Sequence, residues 1–71
     1  MERQYVDSSM IATVGYDSNI AILEVEFKNG GAVWQYYDVP ENIYYELMSA
    51  SSVGKYFYGN IKGQYSENRV G

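Results

Sequence analysis

Seventy-one residues make one small domain, and a chain near this size buries only about 60% of the surface its unfolded form exposes, so its stability is modest. With no cysteine and no histidine, a disulfide framework, zinc sites and cysteine or histidine catalysis are excluded; the composition fits a reducing cytoplasm. A net charge of −4 and a pI near 4.4 argue against general adhesion to nucleic acid, which depends on neutralising phosphates.

The charge is uneven along the chain. Residues 1–50 hold eight acids against Arg3 and Lys28, whereas residues 51–71 hold Lys55, Lys62 and Arg69 against Glu67 alone. Nine tyrosines, two phenylalanines and one tryptophan make up 17% of the residues, so some rings must stay partly exposed and offer contact surface. No apolar run approaches the roughly 18 residues of a membrane span, and the first residues lack the apolar segment of a signal peptide. The expectation is a soluble, cytoplasmic protein with no membrane partner.

Residues 1–9 carry no hydrophobic period and read as a partly ordered arm. Met10, Ala12, Val14 and Tyr16 alternate as on a strand, and Asp17-Ser18-Asn19 is turn chemistry. Ile20 to Lys28 alternates again, with Ala21, Leu23, Val25 and Phe27 on one face and Ile22, Glu24, Glu26 and Lys28 on the other, as in a half-buried antiparallel strand. Asn29-Gly30 is a hairpin signal for a type I′ turn with positive φ at both residues, and a two-residue loop there pairs Phe27 with Ala32, Val25 with Trp34 and Leu23 with Tyr36, whereas a three-residue loop would set Glu26 against Trp34. For the preceding hairpin, a loop over residues 17–20 sets Val14 opposite Leu23 and Ala12 opposite Val25.

Val39-Pro40-Glu41 opens a helix of about ten residues: proline at the first position gives up only an N–H that has no partner there, the acid suits the dipole, and Asp38 can cap. Ile43, Leu47 and Ala50 lie at helical spacing. Ser49 to Ser52 ends this helix and caps a second, shorter one, on which Val53, Phe57 and Ile61 turn inward, with Gly54 and Gly59 weakening it. Residues 66–71 read as a frayed tail. The expected architecture is α+β: a three-stranded antiparallel meander followed by two short helices on one face, a single domain over residues 10–65.

Several residues of this chain invite a chemical role. Glu24 and Glu26 could form an acid–base pair or an ion site, but without a third ligand they read as a solvated strand face. Ser8 and Ser9 have no base to activate them. No catalytic residue, metal ligand or cofactor is expected. Trp34 and Tyr36 fall on the helix-covered face and read as core, whereas Tyr37 and Ile22, on the opposite face, are the candidates for contacting a protein. Lys55, Tyr58 and Lys62 fall on one face of the second helix. Cations interleaved with an aromatic ring can hold backbone phosphate and stack on a base, so they are the nucleic-acid candidates.

Taken in order, Ser8-Ser9-Met10-Ile11, Val14-Gly15-Tyr16-Asp17, Leu23-Glu24-Val25-Glu26-Phe27, the aromatic-x-aromatic strand leading to Val39-Pro40, and Ser52-x-Gly54 with Phe57, Ile61 and Lys62 resemble the KTSC domain family. That family takes its name from a module at the C-terminus of some lysyl-tRNA synthetases and also occurs as small free-standing bacterial proteins. The resemblance runs from Ser8 to Tyr65. It departs from the family pattern at Trp34-Gln35-Tyr36, where Tyr-x-Tyr is favoured, and at Tyr58, where a small polar residue is common. The resemblance assigns no activity; through the synthetase it implies RNA or tRNA as a partner, with another protein as the alternative.

Overall fold

The structure, a computed structural model, describes residues 1–71. Its strands are β1 (Gln4–Tyr5), β2 (Ile11–Asp17), β3 (Ile22–Phe27), β4 (Val33–Tyr36) and β5 (Glu67–Arg69), with helices α1 (Glu41–Ser49) and α2 (Val53–Asn60) between β4 and β5. All neighbouring strands are antiparallel, in the order β1-β2-β3-β4-β5.

The β3–β4 register is the expected one: Val25 lies opposite Trp34 and Leu23 opposite Tyr36, and the Phe27 N–H donates to the Ala32 carbonyl. The turn differs in detail. Positive φ falls on Gly30 (81°) and Gly31 (68°) rather than on Asn29, so the loop spans four residues. Its length is still even, and parity is what assigns the faces.

In the first hairpin the pairing is displaced by two residues from the expectation. Val14 faces Val25, Tyr16 faces Leu23, and the loop occupies residues 18–21 with Ala21 at φ 55°. A shift of two also preserves faces. A β-bulge at Ala12 then breaks the alternation: Ile11 pairs with Phe27 while Thr13 pairs with Glu26. The extra residue moves Ile11 onto the core face with Val14 and Tyr16, and Ile11 is fully buried where Met10 and Ala12 were expected.

The sheet has five strands, not three, because two short segments pair onto its edges. Gln4 and Tyr5 sit opposite Val14 and Thr13, and Glu67, Asn68 and Arg69 sit opposite Tyr36, Gln35 and Trp34. Neither segment has an apolar period, since an edge strand can be held by its backbone hydrogen bonds alone.

Both helices cover one face. Leu47 of α1, Val53 and Phe57 of α2, and Ile61 just after it close over Ile11, Val14, Leu23, Val25 and Tyr36. Phe57 meets Phe27 and Tyr36 edge-on, at centroid distances of 5.5 and 5.3 Å. Ser52 caps α2 by accepting from the Lys55 N–H at 3.2 Å. Pro40 itself occupies the cap position of α1, and Asp38, at φ 57°, makes no capping bond. The chain entering α1 is instead pinned by Tyr16, whose hydroxyl donates to the Val39 carbonyl at 2.6 Å and whose ring stacks on Tyr44 at 4.8 Å.

The opposite face is polar but not open. The N-terminal segment crosses it so closely that a Cβ on Gly15 would lie 2.5 Å from the Glu2 carbonyl oxygen, and only glycine permits that approach. Arg3 reaches Glu24 at 2.6 Å, Gln35 donates to the same carboxylate at 2.9 Å, and the Tyr37 hydroxyl donates to Gln35 at 3.1 Å. Glu24 is therefore buried rather than solvated, because Arg3 and Gln35 supply the partners that make burial affordable. Burial pushes its carboxyl up, but the hydrogen bonds from Gln35 and Arg3 and the Arg3 charge outweigh that and hold it below the usual range.

Candidate nucleic-acid interface

The exposed side of α2 carries no acid, since the helix reads Val-Gly-Lys-Tyr-Phe-Tyr-Gly-Asn. Its inward residues are set by the four-residue spacing of Val53, Phe57 and Ile61, which leaves Lys55 and Tyr58 facing solvent. Lys55 has no side-chain partner. Tyr58 is 47% exposed and rests edge-on against Phe57 at 5.1 Å.

Lys62 is held differently from Lys55. Its ammonium pairs with Glu67 of β5 at 3.2 Å and lies 5.3 Å from the centre of the Trp34 ring. Trp34 is accordingly half-buried, with one side on the core and the other under Lys62, whereas Tyr36 is fully buried. The Tyr36 hydroxyl has no hydrogen-bond partner, and burial, followed by the nearby Glu67 carboxylate, raises its pKa far above the ordinary phenol value.

Sequence reasoning did not anticipate that Tyr58 forms one wall of a groove. The groove measures about 370 Å³ and is lined also by Ser9, Met10, Phe27, Asn29 and Ala32. Three separate segments make it: the residues leading into the β2 bulge, the β3–β4 turn, and α2. Gly54 lets the first and last meet, because a Cβ there would come within 2.6 Å of the Met10 terminal methyl. Across Ser8–Met10, Phe27–Ala32 and Ser52–Gly63 the charges are Lys28, Lys55 and Lys62, with no acid among them. A larger concavity, about 620 Å³, lies at the other end of β3, and its lining includes Glu2 and Asp17. Arg3 lines it as well, so charges of both signs meet there, whereas the lining of the groove beside α2 carries no charge of its own.

The protein-contact candidates lie elsewhere. Tyr37 and Ile22 fall next to each other one step beyond the Leu23–Tyr36 pair, but both are half-buried and the Tyr37 hydroxyl is already bound to Gln35. No helix is long and apolar enough to cross a membrane.

Fold and surface together define a small α+β domain with a helix pair on one face of an antiparallel sheet and an acid-free groove at one end. The KTSC domain profile matches residues 7–65. A solved KTSC domain protein from Yersinia pestis has the same fold at a TM-score of 0.94 and 41% identity, over 99% of this chain and 97% of that one. A protein of Tsukamurella paurometabola is 39% identical over 62 residues, which is 87% of this chain and 91% of its own length. A lysine–tRNA ligase of Trichormus variabilis is 37% identical over 64 residues, covering 90% of this chain but 11% of the ligase. The chain belongs to the KTSC domain family.

The structure accounts for several residues on which the family resemblance rests. Ser8 Oγ accepts from the Met10 and Ile11 N–H groups and shapes the entry to the bulge, and Gly54 gives that entry room against α2. Tyr16 and Val39 are joined by the hydrogen bond that pins the start of α1.

Proposed function

We propose that this domain is a non-enzymatic binding module of the cytoplasm that contacts RNA, tRNA included, through the lysine-bearing side of α2. The observation that carries the reading is the charge distribution: Lys28 and Lys55, neither with a carboxylate partner, lie on the hairpin turn and the helix that supply an exposed, acid-free aromatic groove, in a chain whose net charge is −4. Similarity to part of a lysine–tRNA ligase supports it. Lys55 and Lys28, which have no carboxylate partner, supply the phosphate contacts, and Lys62 joins them when it leaves Glu67.

NMR titration of the full chain with single-stranded RNA and with tRNA tests this reading. Shifts should concentrate in Ser52–Gly63 and Phe27–Ala32. Single-stranded affinity should fall roughly sevenfold between about 50 and 200 mM salt if two phosphates are engaged. A Lys28→Glu, Lys55→Glu double variant with an unchanged fold should lose the binding. If neither RNA moves these signals at low salt, the RNA reading is wrong. The rival reading, a protein contact, has its best support at Tyr5, which is 89% exposed on the edge strand β1, rather than at Tyr37 and Ile22. Binding through that ring would be nearly insensitive to salt.

A further inference from the structure

The groove beside α2 has the form and chemistry of a seat for one flat ring. Tyr58 stands at its wall with nearly half its surface in solvent, Met10 is 39% exposed, and Phe27 and Ala32, which face each other across the β3–β4 hairpin, complete the apolar lining. Ser9 and Asn29 are the polar lining residues, and neither side chain makes a hydrogen bond within the chain. An apolar seat lined also by a hydroxyl and a primary amide offers both a donor and an acceptor to a bound ring.

We infer that this groove accepts a single unstacked nucleobase of an RNA strand, stacked on Tyr58 and lying against Met10 and Phe27, while Lys28 and Lys55 hold the flanking phosphates. The inference rests on the RNA reading above and adds to it a base-binding site in place of contact with the phosphate backbone alone. Charge complementarity selects this occupant over an apolar peptide, since the turn and helix that form the groove carry Lys28 and Lys55, both without a carboxylate partner, and no acid. Stacking is tolerant of base identity, so recognition would come from the Asn29 amide and Ser9 hydroxyl and would favour single-stranded or looped RNA over duplex.

The test compares a short single-stranded RNA with an oligonucleotide of the same length and charge carrying abasic sites, each titrated into the full chain. The intact RNA should bind at least about fivefold more tightly and should move the Met10 methyl and Tyr58 ring signals, as base–aromatic stacking requires. Tyr58→Ala should remove that preference. So should Ala32→Leu, which fills the groove from the opposite side and whose fold can be checked by circular dichroism. Lys28→Glu with Lys55→Glu should weaken both oligonucleotides alike. Equal binding of the intact and abasic strands would overturn the base seat while leaving the RNA reading standing. Failure of both to bind would overturn the two together. An unchanged preference in folded Ala32→Leu would likewise exclude the groove.

Discussion

The two faces of the sheet arise from one alternating sequence but are stabilised in different ways. On the helix side, Leu23 and Val25 are fully buried among Leu47, Phe57 and Ile61, and dispersion and the hydrophobic effect hold them there. On the other side Glu24, Gln35 and Tyr37 form a hydrogen-bonded row anchored by Arg3, and the N-terminal segment shields it from water. Glu24 is nearly as buried as its apolar neighbours. A polar residue on the second face of a strand is therefore not evidence of solvent exposure. What decides the matter is whether a distant segment brings partners to it.

The largest effects should separate the faces cleanly. Val25→Asp puts an unpaired charge among apolar side chains and should unfold the domain at room temperature, since such a change removes several kcal/mol or more from a small stability. Glu26→Lys, one residue on, loses only the hydrogen bond donated by Thr13 at 2.9 Å and should cost about 1 kcal/mol, seen as a lower but still cooperative thermal transition. Equal losses for the two would mean that the register is not as described.

A smaller effect should identify the polar face by its response to acid. Because the folded-state pKa of Glu24 is depressed, its contribution is present above the unfolded value of about 4.3 and is lost as pH falls through the lower folded value. Melting temperature followed from neutral pH down to about pH 3 should drop further in the native chain than in Glu24→Gln. Parallel curves would show that the Arg3–Glu24–Gln35 row does not stabilise the fold.

The contrast also explains what could be read from residue order. Face assignment depends only on parity, so it survives both a two-residue displacement at the first hairpin and a changed turn geometry at Gly30-Gly31. The bulge does not preserve parity. It replaces the apparent series Met10, Ala12, Val14 with Ile11, Val14, Tyr16, and no local pattern announces that step. β5 was hidden because Glu67, Asn68 and Arg69 contribute backbone pairing and no apolar period. At the candidate site, Lys55 and Tyr58 follow from helical spacing. The groove does not, because Met10 reaches it through the bulge, Phe27 and Ala32 through the hairpin, and Tyr58 through the helix. The Lys62–Glu67 pair depends on β5 in the same way.

The position of Lys62 gives this chain an optical reporter of its own. Trp34 is the single indole, and the Lys62 ammonium lies over its ring while Glu67 holds the lysine from the other side. A cation that near an indole perturbs its excited state, so emission follows the departure of Lys62 without any attached dye. Lys62→Gln should therefore shift Trp34 emission in the free domain, and an anion that draws Lys62 from Glu67 should shift it in the same direction. If Lys62→Gln leaves the spectrum unchanged, the cation does not influence the ring and titrations must be followed by another signal.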